Sequence, residues 1–136
     1  MLLQYSVNTN LLKGVFMEES IYYGKISKEV TERLLERYGK DGSYLLRDSE
    51  SIAGALCFCV RKAPFVHTYR IEKSQRGWAV ETVSGSNPEY FQSVSKLVEC
   101  YRAKTPRNME PPLYPLDKDK LSEEALRSIG PSYWEI

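Results

Sequence analysis

The chain has 136 residues and a formal net charge of +1, from 19 basic and 18 acidic side chains. Its length suits one domain with a sizeable core. The charge balance argues against a broad nucleic-acid surface, which needs a clear excess of lysine and arginine. Three cysteines, one histidine and no recognisable secretory leader predict a reducing, cytoplasmic setting. Any recognition of anions is therefore expected to be local.

The first 19 residues show no clear periodicity and are predicted to form an N-terminal tail. Residues 1–16 are mildly apolar, but this segment is too short and too polar to cross a bilayer. Membrane insertion is therefore not expected. Translation from Met1 and translation from Met17 both stay open, because recognisable folding signals begin only after Met17.

A first helix is predicted to begin after Ser27, a favourable N-cap residue. Apolar side chains recur at helical spacing over residues 30–38, and Gly39 supplies the stop. A turn at 40–42 then leads into a short strand over residues 43–48.

Three further strands are predicted after this one. Residues 54–62 alternate with period two, which is typical of a strand with two different faces. This segment pairs as a hairpin with residues 65–73, and a turn at Arg76 and Gly77 leads to a short strand over 78–83.

A second helix is predicted to start near Ser93, because apolar residues follow at helical spacing over 94–101. A proline-rich loop and a polar C-terminal tail over 117–136 complete the chain. Residues 20–116 are therefore predicted to form an α+β domain, in which a central antiparallel β-sheet is flanked by two α-helices.

The segment 43–51 is the strongest functional signal in the chain. A strand carries Arg47 into an apolar setting, where a guanidinium with five donors requires an anion or a polar partner. The next turn is Ser49, Glu50 and Ser51, whose hydroxyls and backbone N–H groups suit a tetrahedral oxyanion. This arrangement predicts a phosphate socket. The simpler alternative is a surface arginine that ends an ordinary edge strand.

Several segments of the chain, in this order, resemble Src-homology 2 (SH2) domains. The segments that carry the resemblance are Tyr23 to Ser27, Gly42 to Ser51, Cys57 to Val60, Thr68 to Ile71, and Tyr90 to Val94 with Leu97 and Val98. Together they look most like the SLAM-associated adaptors, which are single SH2 domains with a short tail. With 136 residues in the sequence, such a free-standing adaptor is expected. The alternative is an SH2 module of a larger signalling enzyme such as an inositol 5-phosphatase.

The resemblance implies a phosphotyrosine site, with Arg47 as the residue that reads the phosphate. The residues implied in phosphotyrosine binding are Arg47, Ser49, Glu50 (through its backbone N–H), Ser51, Cys57, Lys28, Thr68 and Arg70. Lys28 stands where many SH2 domains have a second arginine. Because lysine lacks the planar fork, a somewhat weaker phosphate contact is expected, with more reliance on residues that flank the tyrosine.

The ligand implied by the resemblance is the motif Thr-Ile-Tyr-x-x-Val/Ile in the tails of SLAM-family immune receptors. Its N-terminal part would lie along residues 65–71 by β-augmentation. The apolar residue three positions after the tyrosine would enter a pocket formed by Tyr69, Thr82, Val83, Met109 and Leu113. Occupancy of the motif would block rival SH2 proteins and could recruit a Src-family kinase.

Two further positions bear on signalling. Gln92 stands where relatives that recruit the SH3 domain of the kinase Fyn have an arginine, so the ion pair of that contact is expected to be missing. Tyr133 in the C-terminal segment is the alternative route, as a phosphorylation site. Its simpler interpretation is an unmodified aromatic residue near the end of the chain.

Enzymatic interpretations find less support. Cys57, Cys59 and His67 superficially suggest a cysteine enzyme, but the Cys-x5-Arg loop of phosphatases is missing, because Ala63 and Phe65 stand at the arginine position. Zinc needs four ligands at paired spacing, which this chain does not offer. We therefore expect a monomer without catalysis, metal or cofactor. Turnover of a phosphotyrosine substrate and binding of unphosphorylated peptide by a degenerate SH2 domain stay open as alternatives.

Overall fold

A computed structural model describes residues 20–81 and 87–129 as a five-stranded sheet with helices packed on both faces. The elements are α1 (Lys28–Tyr38), β1 (Ser43–Asp48), β2 (Leu56–Lys62), β3 (Phe65–Ser74), β4 (Gly77–Val80), α2 (Val94–Ala103), β5 (Tyr114–Pro115), a 3-10 turn (Lys118–Lys120) and α3 (Glu123–Arg127). None of the helices in these two ranges is long and apolar enough to cross a lipid bilayer.

Helix α1 begins and ends where its sequence predicts. The Ser27 hydroxyl accepts a hydrogen bond from the Val30 amide at 3.1 Å, which caps the first turn. Gly39 follows the last turn with an ordinary extended backbone. A Cβ atom at this position would lie 2.8 Å from the Leu35 carbonyl oxygen, so close backbone approach requires the glycine.

The strands lie in the order β4-β3-β2-β1-β5, and every pair is antiparallel except β1 with β5. The α+β fold with a central, mainly antiparallel sheet is thereby confirmed. The short strand β5 was not predicted, because two residues within a proline-rich loop are too few to show alternation. It pairs in parallel with the start of β1, where the Leu116 amide donates to the Tyr44 carbonyl at 2.9 Å.

Alternation along the strands divides the apolar side chains between two cores. The core under α2 contains Tyr44, Leu46, Phe58, Val60, Ile71, Val94, Leu97, Val98 and Tyr101. The core under α1 contains Tyr23, Ile26, Leu34, Leu35, Leu45, Cys57, Cys59, Leu116 and Ile129. Arg47 is two residues after Leu45, so its side chain belongs to the α1 face, at the rim of the second core.

The structure differs from the predicted C-terminal tail over residues 117–136. Residues 118–120 form a 3-10 turn, Ala125 of α3 is fully buried, and Ile129 packs into the core under α1. The sequence did not show this, because a few apolar residues spaced widely among polar ones give no clear period. We therefore extend the proposed domain to Ile129. The predicted N-terminal tail over residues 1–19 lies outside the described residues.

Candidate functional site

Arg47 is a buried cation with unused hydrogen-bonding capacity. The residue is only 4% exposed, and its Nη1 donates to the carbonyl of Asp48 at 3.2 Å. Its Nε finds no hydrogen-bond partner among the described residues. Because a buried charged donor without a partner is unfavourable, the arrangement is suited to an anion that arrives from outside.

The strand register places further site residues beside this arginine. Arg47 lies opposite Cys57 on β2, and Cys57 lies opposite Arg70 on β3. In the next cross-strand pair on this face, Cys59 lies opposite Thr68, and the Thr68 hydroxyl is 3.8 Å from the Cys59 sulfur. Directly paired residues share one face of a sheet, so the predicted set converges on the α1 face.

Of the two cysteines on this face, Cys59 is fully buried. Burial raises the pKa of the Cys59 thiol to about 11, although the nearby Arg47 guanidinium acts in the opposite direction. The thiol is therefore neutral at physiological pH and behaves as a small packing group. Within residues 20–81 and 87–129, no group of three or more His, Cys, Asp or Glu residues is placed to hold a metal ion.

The turn after β1 is organised by a serine hydroxyl. Ser49 Oγ accepts hydrogen bonds from the backbone amides of Ser51 at 3.3 Å and Ile52 at 3.1 Å. The hydroxyls of Ser49 and Ser51 lie 3.4 Å apart. The Ser49 hydroxyl therefore closes this turn, and its role as a phosphate loop stays a prediction.

Lys28 contributes its backbone rather than its ammonium group to this region. Its amide donates to Glu50 Oε2 at 3.0 Å, at the N-terminus of α1. Its Nζ lies 3.7 Å from Glu32, and its side chain is 63% exposed. The Lys28 ammonium group, which was predicted to lie in the phosphate site, is thus directed along α1 towards Glu32 instead.

Arg70 is a second cation on the same face of the sheet as Arg47. Its Nη1 donates to Glu81 Oε2 at 3.2 Å, while its buried Nε has no hydrogen-bond partner among the described residues. It shares the cross-strand row of Arg47 through Cys57. The geometry therefore favours Arg70 over Lys28 as the partner of Arg47 in holding an anion.

Replacement of Arg70 by glutamine is expected to lower the affinity for a phosphotyrosine peptide by about tenfold or more, as expected for loss of a charge-assisted hydrogen bond. Replacement of Lys28 by glutamine removes the same charge from an exposed position, so a change of less than about threefold is expected. Calorimetry on both variants, with melting curves as a control for folding, measures the difference. An equal or reversed effect would contradict this assignment.

An open cavity of about 760 Å³ lies next to the loop after β1. It is lined by residues 25–27, 48–51 and 53–56. Neither Arg47 nor Cys57 lines it, so the cavity adjoins the buried arginine and does not surround it.

The first half of β3 offers an edge for an extended peptide. Strand β4 pairs only with residues 71–74, so residues 65–69 have no partner strand on that side among the described residues. The rings of Phe65, His67 and Tyr69 follow one another along this stretch, with centroids 6.2 and 6.5 Å apart. This geometry suits β-augmentation by a ligand strand.

The predicted pocket for the apolar ligand residue is only partly assembled. Tyr69 and Met109 both pack against the core under α2, and the Tyr69 hydroxyl accepts from the Glu110 amide at 2.9 Å. Leu113 lies elsewhere, because its amide donates to the Gly42 carbonyl beside β1 and the residue is 47% exposed there. Thr82 and Val83 lie outside the described residues.

Sequence reasoning missed two carboxylates next to site residues. Glu81 pairs with Arg70, and Glu110 lies 4.0 Å from His67 while its amide holds Tyr69. Their partners are 11 to 43 positions away in the sequence, so no local pattern indicates them.

Of the two positions predicted to bear on signalling, Gln92 is described by the structure and Tyr133 is not. Gln92 is exposed just before the N-cap of α2, and its Oε1 accepts from Lys96 Nζ at 3.4 Å. The preceding Phe91 is held by reciprocal 2.8 Å backbone bonds with Trp78. Tyr133 lies outside the described residues.

A buried arginine at the end of a strand, a hydroxyl-rich turn and an exposed strand edge on an α+β sandwich are typical of a phosphotyrosine-binding module. The family model of the SH2 domain matches residues 21–101, and the chain therefore belongs to the SH2 family. The predicted resemblance to SH2 domains and to the SLAM-associated protein family is confirmed.

Two kinds of proteins are similar to this chain. The chain is 42% identical to SH2 domain-containing protein 1B of Homo sapiens over 86 residues, which is 62% of this chain and 65% of that protein. It is 37% identical over 106 residues to phosphatidylinositol 3,4,5-trisphosphate 5-phosphatase 2A of Danio rerio, covering 77% of this chain and 8% of that protein. The human phosphatidylinositol 3,4,5-trisphosphate 5-phosphatase 2 is 43% identical over 83 residues, covering 60% of this chain and 7% of that protein.

Proposed function

We propose that this SH2 domain acts as a cytoplasmic, non-enzymatic adaptor. Its ligands would be Thr-Ile-Tyr-x-x-Val/Ile motifs, phosphorylated on tyrosine, in the tails of SLAM-family receptors. The observation that carries the proposal is the burial of Arg47 with a free Nε among the described residues. The 42% identity to SH2 domain-containing protein 1B covers 65% of that protein, which supports a small, free-standing form.

Phosphate recognition would proceed by charge-assisted hydrogen bonds. A phosphotyrosine carries a charge of about −2 and three acceptor oxygens. Arg47 would meet two of these oxygens with its planar fork, while Arg70 would neutralise the remaining charge from β3, two strands away. Because Arg47 lies deep on the sheet face, a phosphoserine side chain would be too short to reach it. The site thereby selects phosphotyrosine.

Peptide recognition would depend strongly on the residues around the tyrosine. The unpaired edge at 65–69 supplies backbone donors and acceptors for the residues before it. Phe65 is 64% exposed at the start of this edge and offers an apolar contact for a preceding isoleucine. Occupancy of the motif would then exclude rival SH2 proteins from the same receptor tail.

Calorimetry with a Thr-Ile-Tyr-x-x-Val peptide, phosphorylated and unphosphorylated, tests this proposal. We expect the phosphorylated peptide to bind at least about tenfold more tightly, since charge-assisted hydrogen bonds to the phosphate are lost without it. A peptide with its residues before the tyrosine scrambled serves as the control for flank reading. Absence of binding by either peptide would contradict the proposed ligand class.

A second candidate is an SH2 module within a larger signalling enzyme such as an inositol 5-phosphatase. The observation that favours it is the 37% identity over 77% of this chain to a protein of that name. Transcript sequencing beyond the codon of Ile136 separates the two proposals, because only the module requires a continued reading frame.

Kinase recruitment would differ from that of relatives that engage the Fyn SH3 domain. Gln92 carries no charge and its amide oxygen already accepts from Lys96. An SH3 contact at this position would therefore lack its ion pair. We propose that downstream signalling, where it occurs, uses Tyr133 instead.

A further inference from the structure

A single carboxylate oxygen lies between two positive groups of the phosphate site. Glu50 Oε2 accepts the hydrogen bond from the Lys28 amide at 3.0 Å, at the positive end of the α1 dipole. The same oxygen lies 4.0 Å from Arg47 Nη1. Within the described structure, Glu50 thus neutralises part of the charge of the buried arginine.

A phosphate group cannot bind Arg47 while the Glu50 carboxylate keeps this position. Its oxygens would approach Arg47 within hydrogen-bond distance, and a charge of about −2 would then lie a few ångströms from the Glu50 carboxylate. Like charges at such separations repel, so the carboxylate must move. The Glu50 side chain is 56% exposed, which leaves it room to turn into solvent.

We propose that Glu50 is an internal competitor of the ligand phosphate: its carboxylate holds the anion site of the free domain and is displaced when phosphotyrosine binds. This inference rests on the proposed function of the site. Displacement of the Glu50 carboxylate costs free energy, so the phosphate contributes less to the net free energy of ligand binding. Contacts with residues that flank the tyrosine therefore gain relative weight in deciding which peptide binds.

Titration with inorganic phosphate, followed by the NMR signal of the Lys28 backbone amide, tests the competition without any peptide. In Glu50→Gln the side chain keeps an oxygen that can accept from the Lys28 amide, but the negative charge is lost. We expect this variant to reach half-saturation at a phosphate concentration about three- to tenfold lower than the unchanged protein, as for an exposed ion pair near a helix terminus. Glu99→Gln, on an exposed position of α2, removes the same charge and should leave the titration unchanged.

The outcomes separate this inference from the proposed function. An equal or higher half-saturation concentration in Glu50→Gln overturns the competition, and so does the absence of any response of the Lys28 amide in both proteins. The phosphorylated peptide is then titrated against the same variants, and tighter binding by Glu50→Gln supports the competition further. If phosphate behaves as expected but the peptide binds neither protein, the proposed ligand is wrong and the competition at the anion site stands.

Discussion

Replacement of Arg47 by lysine is expected to weaken binding of the phosphorylated peptide by about 30-fold or more. Lysine retains the charge but cannot offer two parallel donors to one phosphate. A hydrogen bond to a charged group contributes about 1.5–3 kcal/mol, and in this buried position no water replaces the lost one. Calorimetry against the unchanged protein measures the effect.

The same substitution is not expected to destabilise the fold. Arg47 Nε has no partner among the described residues, so its burial opposes folding of the free domain. Chemical denaturation should give an unchanged or slightly higher free energy of unfolding. Arg127→Lys, at an exposed position of α3, is the matched control and should preserve affinity. A loss of less than threefold for Arg47→Lys would show that another residue reads the phosphate.

Replacement of Gly77 by alanine is expected to lower the free energy of unfolding by about 3 kcal/mol or more. Gly77 begins β4 with φ at +121°, a conformation that L side chains rarely adopt. A Cβ atom there would lie 2.5 Å from the Phe91 carbonyl oxygen. That oxygen accepts from the Trp78 amide at 2.8 Å, so relief of the clash disrupts the link between β4 and the segment before α2.

Gly54 provides the control for backbone strain without a clash. Its φ is +85°, and a Cβ atom there would meet no atom within 4 Å. Gly54→Ala is therefore expected to destabilise the domain by about 1 kcal/mol only. Urea denaturation of both variants isolates the contribution of the Phe91 contact. Equal losses would mean that the carbonyl of Phe91 moves away without disturbing the sheet.

Local chain geometry explains why many features followed from the sequence. Ser27 and the apolar stripe of α1 predicted its ends, and the alternation of β2 predicted two faces, because both periods arise from the backbone itself. The segment around Arg47 indicated the phosphate socket through its own residues, since strand, arginine and hydroxyl turn are contiguous. Its resemblance to SH2 domains then predicted that Cys57 on β2 and Thr68 and Arg70 on β3 belong to the same site.

Features that depend on distant segments could not be predicted in this way. The parallel pairing of β5 with β1 joins residues about 70 positions apart, and Ile129 enters a core formed mainly by residues 23–59. Leu113 was expected near Tyr69 but lies beside Gly42, because pairing with β1 fixes its position. Such contacts leave no period in the sequence.

Caps, periods and contiguous motifs act over a few residues, so the sequence alone was enough to predict α1, α2, β1 to β4, the SH2 family and Arg47 as the proposed phosphate-binding arginine. The arrangement of charges around Arg47 depends on the tertiary structure. In the folded domain the Lys28 ammonium lies near Glu32, and the Glu50 carboxylate lies at the start of α1. Arg70 lies on the same sheet face as Arg47, two strands away. Side-chain direction depends on which segments pack together, and that choice is made by the whole chain.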